Sequence, residues 1–136
     1  MTQSRVPSPN KQRVAIYARI ASHPFAGWLE HQLAPARALI EEREDWTLSS
    51  VYADEGIPAS QHRPQLEAML NACDTGKVDI VITASASRLA RGMADVARIT
   101  ERLSRSNTKL VLLKEGISTD ESPFIALFTG MAEGRV

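Results

Sequence analysis

Arg19, Arg63, Arg88 and Arg91 are candidates for neutralising a phosphate, a task that suits the arginine side chain. Arg19 closes the short apolar run Val14-Ala15-Ile16-Tyr17-Ala18 and is followed by Ile20-Ala21-Ser22. Arg63 precedes Pro64, while Arg88 and Arg91 fall within Ser85-Ala86-Ser87-Arg88-Leu89-Ala90-Arg91. A guanidinium is planar, holds its charge at any physiological pH and can grip two phosphate oxygens at once. Taken singly, each arginine reads sooner as a solvated surface side chain or a salt-bridge partner than as a phosphate ligand. Ser85 and Ser87 read as turn or helix-capping residues rather than nucleophiles. Other chemistries find less support. His23, His31 and His62 lack metal-ligand spacing, and the single Cys73 cannot build a zinc site. There is no glycine-rich phosphate loop and no GxGxxG.

These residues need a scaffold, and the chain is long enough to supply one. At 136 residues it fits a single domain with a real core. No run approaches the roughly 18 apolar residues of a membrane span, so no membrane partner is expected. Residues 1–12 are polar and contain proline and serine, which suggests a disordered lead-in rather than a secretory signal. A cytoplasmic location is the expectation, and a lone cysteine that cannot form an intrachain disulfide agrees with it. Sixteen basic and sixteen acidic residues cancel. A free-standing DNA-binding module usually has a basic excess, so contact with DNA would need a local arginine cluster or a partner.

Hydrophobic period and punctuation predict an alternating α/β domain over residues 13–136. Strands are expected at 13–19, 46–52, 78–83 and 109–114. Helices are expected at 26–44, despite Pro35, and at 64–75, 93–104 and 124–132. Gly76 is the natural stop of the second helix, and Cys73 on its inner face reads as a small buried hydrophobe. Met93, Val96, Ile99 and Leu103 recur at three and four, so they are expected to face inward. Strands separated by helices imply right-handed crossovers and a mainly parallel sheet of four or five strands, with helices on both faces. Ligand chemistry in such sheets gathers at the carboxyl ends of strands. Arg19, Ala21, Ser22 and the 85–91 segment all fall there.

Six blocks, in order, carry a resemblance. They are Tyr17-Ala18-Arg19; Leu29 with Gln32; Asp54-Glu55-Gly56; Arg63-Pro64 with Leu66; Arg88-Leu89-Ala90-Arg91; and Glu115-Gly116-Ile117 with Thr119. Together they resemble the catalytic domain of the serine recombinases, the resolvase/invertase family, over residues 13 to about 133. The resemblance implies that Arg19, Arg63, Arg88 and Arg91 surround a scissile DNA phosphate, with Gln32 also in the site. In an intact member a serine attacks phosphorus, forms a 5′-phosphoseryl bond and allows religation within a tetramer without metal or nucleotide. No cofactor is therefore implied.

The departures fall on the chemistry. The nucleophile position holds Ala21, which has no hydroxyl. Ser87 stands where the family has the aspartate of its Asp-Arg pair, and Pro58-Ala59 replaces the usual Ser-Gly. The last helix is only begun at Val136. The first reading is a recombinase catalytic domain that has lost strand cleavage, binds DNA weakly through phosphate, and pairs with itself or with an intact recombinase. A second reading is an active recombinase, either using Ser22, one residue from the usual position, or with Ala21 an introduced change. A third is a non-catalytic protein-interaction domain. Convergence of the four arginines into one positive pocket separates the first reading from the third.

Overall fold

The computed structural model describes residues 11–20, 27–55, 63–117 and 122–133. Its elements run β1 (Gln12–Ile20), α1 (Trp28–Glu42), β2 (Trp46–Glu55), α2 (Pro64–Asp74), β3 (Ile80–Thr83), α3 (Ala86–Leu89), α4 (Met93–Arg105), β4 (Lys109–Leu112) and α5 (Pro123–Glu133). The four strands form one sheet in the order β2-β1-β3-β4. Every pairing is parallel.

Alternation along the strands divides the core in two. Ala15, Tyr17, Val81, Leu110 and Leu112 point to one face, where α2, α4 and α5 lay down Leu66, Met69, Leu70, Val96, Ile99, Leu103 and Leu127. Val14, Ile16, Ala18, Ile80, Ile82 and Val111 point to the other, against Leu33, Ala36 and Ile40 of α1. Because both faces are covered, β3 is buried at all four positions and carries the apolar run Ile80-Val81-Ile82 ahead of Thr83, the pattern of a strand covered on both faces. Among the described residues no helix is long and apolar enough to cross a membrane.

Local chemistry explains most boundaries. Arg63 is extended and Pro64 opens α2, as expected where proline pre-sets the first helical φ and keeps its predecessor out of the helix. Gly76 ends that helix at φ 77°. The Gly76 amide bonds to the Cys73 carbonyl at 3.0 Å and the Lys77 amide to the Ala72 carbonyl at 2.9 Å, the paired closure that a left-handed residue permits. Cys73 is wholly buried, and burial pushes its thiol up to about 11. Pro35 does not interrupt α1.

Several expectations shift. The first helix stops at Glu42, before the expected end at residue 44, because Arg43 is extended. β2 runs on through Ala53, Asp54 and Glu55, pairing with β1 up to Ile20. β3 starts at Ile80 rather than at 78, β4 ends at Leu112 rather than 114, and β1 already includes Gln12. Met93 is 46% exposed, so the inward stripe of α4 begins at Val96. The rest of the expected lead-in, residues 1–10, lies outside the described residues.

Candidate phosphate-binding site

Helix α3 is the hub of the site. It has only four residues, and a helix end leaves its last carbonyls without intrahelical partners. Arginines take them. The Arg19 guanidinium donates to the Ser87 carbonyl at 3.0 Å and, less closely, to the Arg88 carbonyl at 3.4 Å. Arg63 donates to the Leu89 carbonyl at 2.9 Å. Arg88 returns the contact, donating to the Arg19 carbonyl at 3.1 Å. Positive charge at a helix C-terminus also suits the helix dipole.

Each arginine arrives from a different element. Arg19 shares the parity of Ala15 and Tyr17, so it leaves the carboxyl end of β1 on the face covered by α2 and α4. Arg63 sits at the mouth of α2 with only 3% of its surface exposed. Its second donor goes to Asp95 Oδ2 at 2.7 Å. Arg91, 45% exposed, reaches the same oxygen at 3.4 Å, and its backbone amide does so at 3.2 Å. The four cations are near enough to feel one another. Burial first, then the charges of Arg88, Arg63 and Arg91, lower the pKa of Arg19.

A second buried carboxylate holds the frame. Asp54, at the end of β2, accepts the Tyr17 hydroxyl at 2.7 Å and the first-turn amides of Gln65 and Leu66 at 2.9 and 3.1 Å. It thus caps α2 from a neighbouring strand and sets the helix start beside Arg63. Burial, then the bond to Asp54, raise the Tyr17 pKa well above the ordinary phenol range. The phenol therefore remains a donor. Glu115 performs a similar task at the far end of α3, accepting the Ala86 amide at 3.1 Å.

The remaining residues marked from sequence separate into three groups. Ser87 is exposed. Its hydroxyl lies 3.1 Å from that of Ser85, so Ser85, although it occupies the N-cap of α3, makes no side-chain cap. Gln32 lies in α1, and its Oε1 is buried without a hydrogen-bond partner among the described residues. It makes no bond to the arginine cluster. Ala21 and Ser22 follow directly on Ile20 and lie outside the described residues. Sequence reasoning missed Asp95. Its one visible signal is the four-residue spacing from Arg91, a residue just ahead of the helix that carries Asp95.

Two other features bear on the chemistry. A cleft of about 240 Å³ opens between α1 and the end of β4, lined by Leu39, Trp46, Val111 and Ile117 with Arg43 at its rim. It contains none of the four arginines. Among the described residues no group of three His, Cys, Asp or Glu side chains could hold a metal ion.

Known proteins agree with this architecture. Residues 14–134 match the family model described as "Resolvase, N terminal domain". The chain is 34% identical over 86 residues to the transposon Tn501 resolvase of Pseudomonas aeruginosa, covering 62% of this chain and 45% of that protein. It therefore spans less than half the length of that relative. A resolvase-family site-specific recombinase from Streptococcus pneumoniae superposes with a TM-score of 0.70 at 25% identity, over 92% of this chain and 88% of the other. The N-terminal catalytic domain of TP901-1 integrase has the same fold, with a TM-score of 0.71 at 22% identity over 91% and 95% of the two chains. With the motif blocks, the parallel sheet and the family match all in agreement, the chain belongs to the resolvase N-terminal domain family.

Proposed function

We propose that this chain is the phosphate-engaging catalytic domain of a site-specific DNA recombinase whose strand-cleaving step has been lost, because Ala21 stands at the nucleophile position. The observation that carries the reading is the gathering of Arg19, Arg63, Arg88 and Arg91 around α3. Arg63 is the buried member of the four, and the carboxylates nearest the cluster are Asp54 and Asp95, both buried, and Glu115 at the start of α3. Arg19 and Arg88 commit only part of their forks to carbonyls, and an arginine carries five N–H donors. The remainder have no acceptor among the described residues and suit a phosphodiester.

DNA is the proposed partner. Phosphate contacts fix position without reading bases, so binding by this chain is weak, indifferent to sequence and steeply salt-dependent. The second proposed partner is another copy of the chain or an intact recombinase. Phe124, Ile125 and Phe128 support this, since α5 leaves all three about half exposed while Ala126 and Leu127 are buried.

The test is covalent adduct formation on a suicide DNA substrate. A foreign DNA-binding domain is fused to this chain and to its Ala21→Ser and Ala21→Ser/Ser87→Asp variants. The unaltered fusion should give no denaturation-resistant complex, and the double variant should give the most. Adduct from the unaltered fusion that disappears with Ser22→Ala would overturn the reading and make Ser22 the nucleophile.

A further inference from the structure

We infer that Asp95 is a positioning residue of the phosphate pocket, holding Arg63 in place and tethering Arg91 where it can meet a phosphate. The inference rests on the phosphate-binding reading above. Asp95 Oδ2 alone receives three N–H contacts, from the Arg63 fork at 2.7 Å, the Arg91 amide at 3.2 Å and the Arg91 fork at 3.4 Å. Its other oxygen faces Arg98 at 3.5 Å. The carboxylate is 9% exposed and its Arg63 partner 3%.

The place of Asp95 in the fold makes it a rigid anchor. It is the third residue of α4, and the next inward residues, Val96 and Ile99, are fully buried. An acid in the first turn is favoured by the helix dipole, and one that reaches back to an amide ahead of the helix also closes its N-terminus. The two arginines are held differently. Arg63 has a short, buried, charge-assisted bond and a second bond to the Leu89 carbonyl, so it is fixed and contributes charge. Arg91 is half-exposed and its side-chain bond is long, so its fork can transfer to a phosphate while its backbone stays tied to Asp95.

Simple electrostatics and positioning predict opposite signs. If Asp95 is only a nearby negative charge, Asp95→Asn should strengthen DNA binding. If it positions Arg91, the same change should weaken binding and flatten the salt dependence by about one unit of slope, the equivalent of one phosphate contact. The experiment measures binding of a fluorescein-labelled DNA duplex by the full chain across a potassium chloride series. It compares Arg88→Gln, Arg91→Gln, Asp95→Asn and Arg91→Gln/Asp95→Asn. Arg91→Gln should weaken the original chain several-fold and change nothing further once Asp95 is replaced. If Asp95→Asn does not fold, Arg63→Met/Asp95→Leu supplies an apolar replacement of the buried pair, and Arg91→Gln is tested in that background. An undiminished effect of Arg91→Gln without Asp95, or tighter binding by Asp95→Asn, overturns the inference. An effect of Arg88→Gln with none from Arg91→Gln also overturns it while the pocket stands. If neither arginine matters, the phosphate-binding reading itself fails.

Discussion

Replacing Asp54 by alanine probes the frame that sets Arg63. The carboxylate is 1% exposed and accepts three donors, the Tyr17 hydroxyl and the amides of Gln65 and Leu66. Gln65 is exposed, so its amide can turn to water. Tyr17 and Leu66 are fully buried, so their donors are stranded. A stranded buried donor costs about 1–3 kcal/mol, and two at about 2 kcal/mol each give a loss of about 4 kcal/mol, with the broken cap already contained in the Leu66 share. That is a large part of the 5–15 kcal/mol typical of a domain. At roughly 4 °C per kcal/mol for a chain of this size, the melting temperature should fall by about 15 °C. Urea unfolding followed by circular dichroism measures the change, with the slope against denaturant unchanged. Tyr17→Phe leaves the carboxylate two backbone donors and should cost about 1–2 kcal/mol. The double variant strands no hydroxyl, so its loss should fall well short of the sum of the singles. Additive losses, or an Asp54→Ala cost under about 1 kcal/mol, would refute the account of Asp54 as the shared acceptor.

Two further outcomes follow from the same buried charges. Arg63→Met alone leaves Asp95 with only its longer contacts to Arg91 and Arg98, and should destabilise by about 3 kcal/mol, the lower end for a broken buried pair; thermal unfolding should show Arg63→Met/Asp95→Leu losing less than Arg63→Met. Alkaline pH should destabilise the domain through Tyr17. Its folded pKa is raised, so this contribution is complete below the unfolded phenol value of about 10 and is lost as pH rises beyond it. Stability measured from neutral to strongly alkaline pH should decline less in Tyr17→Phe, and an identical decline in both proteins would contradict the assignment.

Much of the scaffold was legible in the order of residues alone. The apolar runs of β1, β3 and β4 and the inward stripes of α2 and α4 are periods of two and 3.6 carried by near neighbours, and Gly76 and Pro64 mark boundaries by their own backbone limits. Short-range pattern also explains the errors. α3 is four residues long and completes barely one turn, too little for a period to register. The Ala53-Asp54-Glu55 end of β2 carries residue types that strands disfavour, and pairing with β1 overrides that preference. Met93 keeps the stripe's spacing but lies in the first turn, beyond the edge of the core.

The chemistry divides along the same line. The motif resemblance singled out Arg19, Arg63, Arg88 and Arg91, whose contacts meet around α3, and it puts Ala21, which has no hydroxyl, at the proposed nucleophile position. It could not tell that Arg63 is buried while Arg91 is open, or that Asp95 joins them. Those facts depend on contacts that reach across the chain, from Arg63 to the Leu89 carbonyl 26 positions on and to Asp95 32 positions on. A charge declares only its sign along the chain. Its partner, its exposure and its remaining donors are decided when the parallel strands bring the carboxyl ends of β1, β2 and β3 to one end of the sheet, around a helix too short to satisfy its own carbonyls.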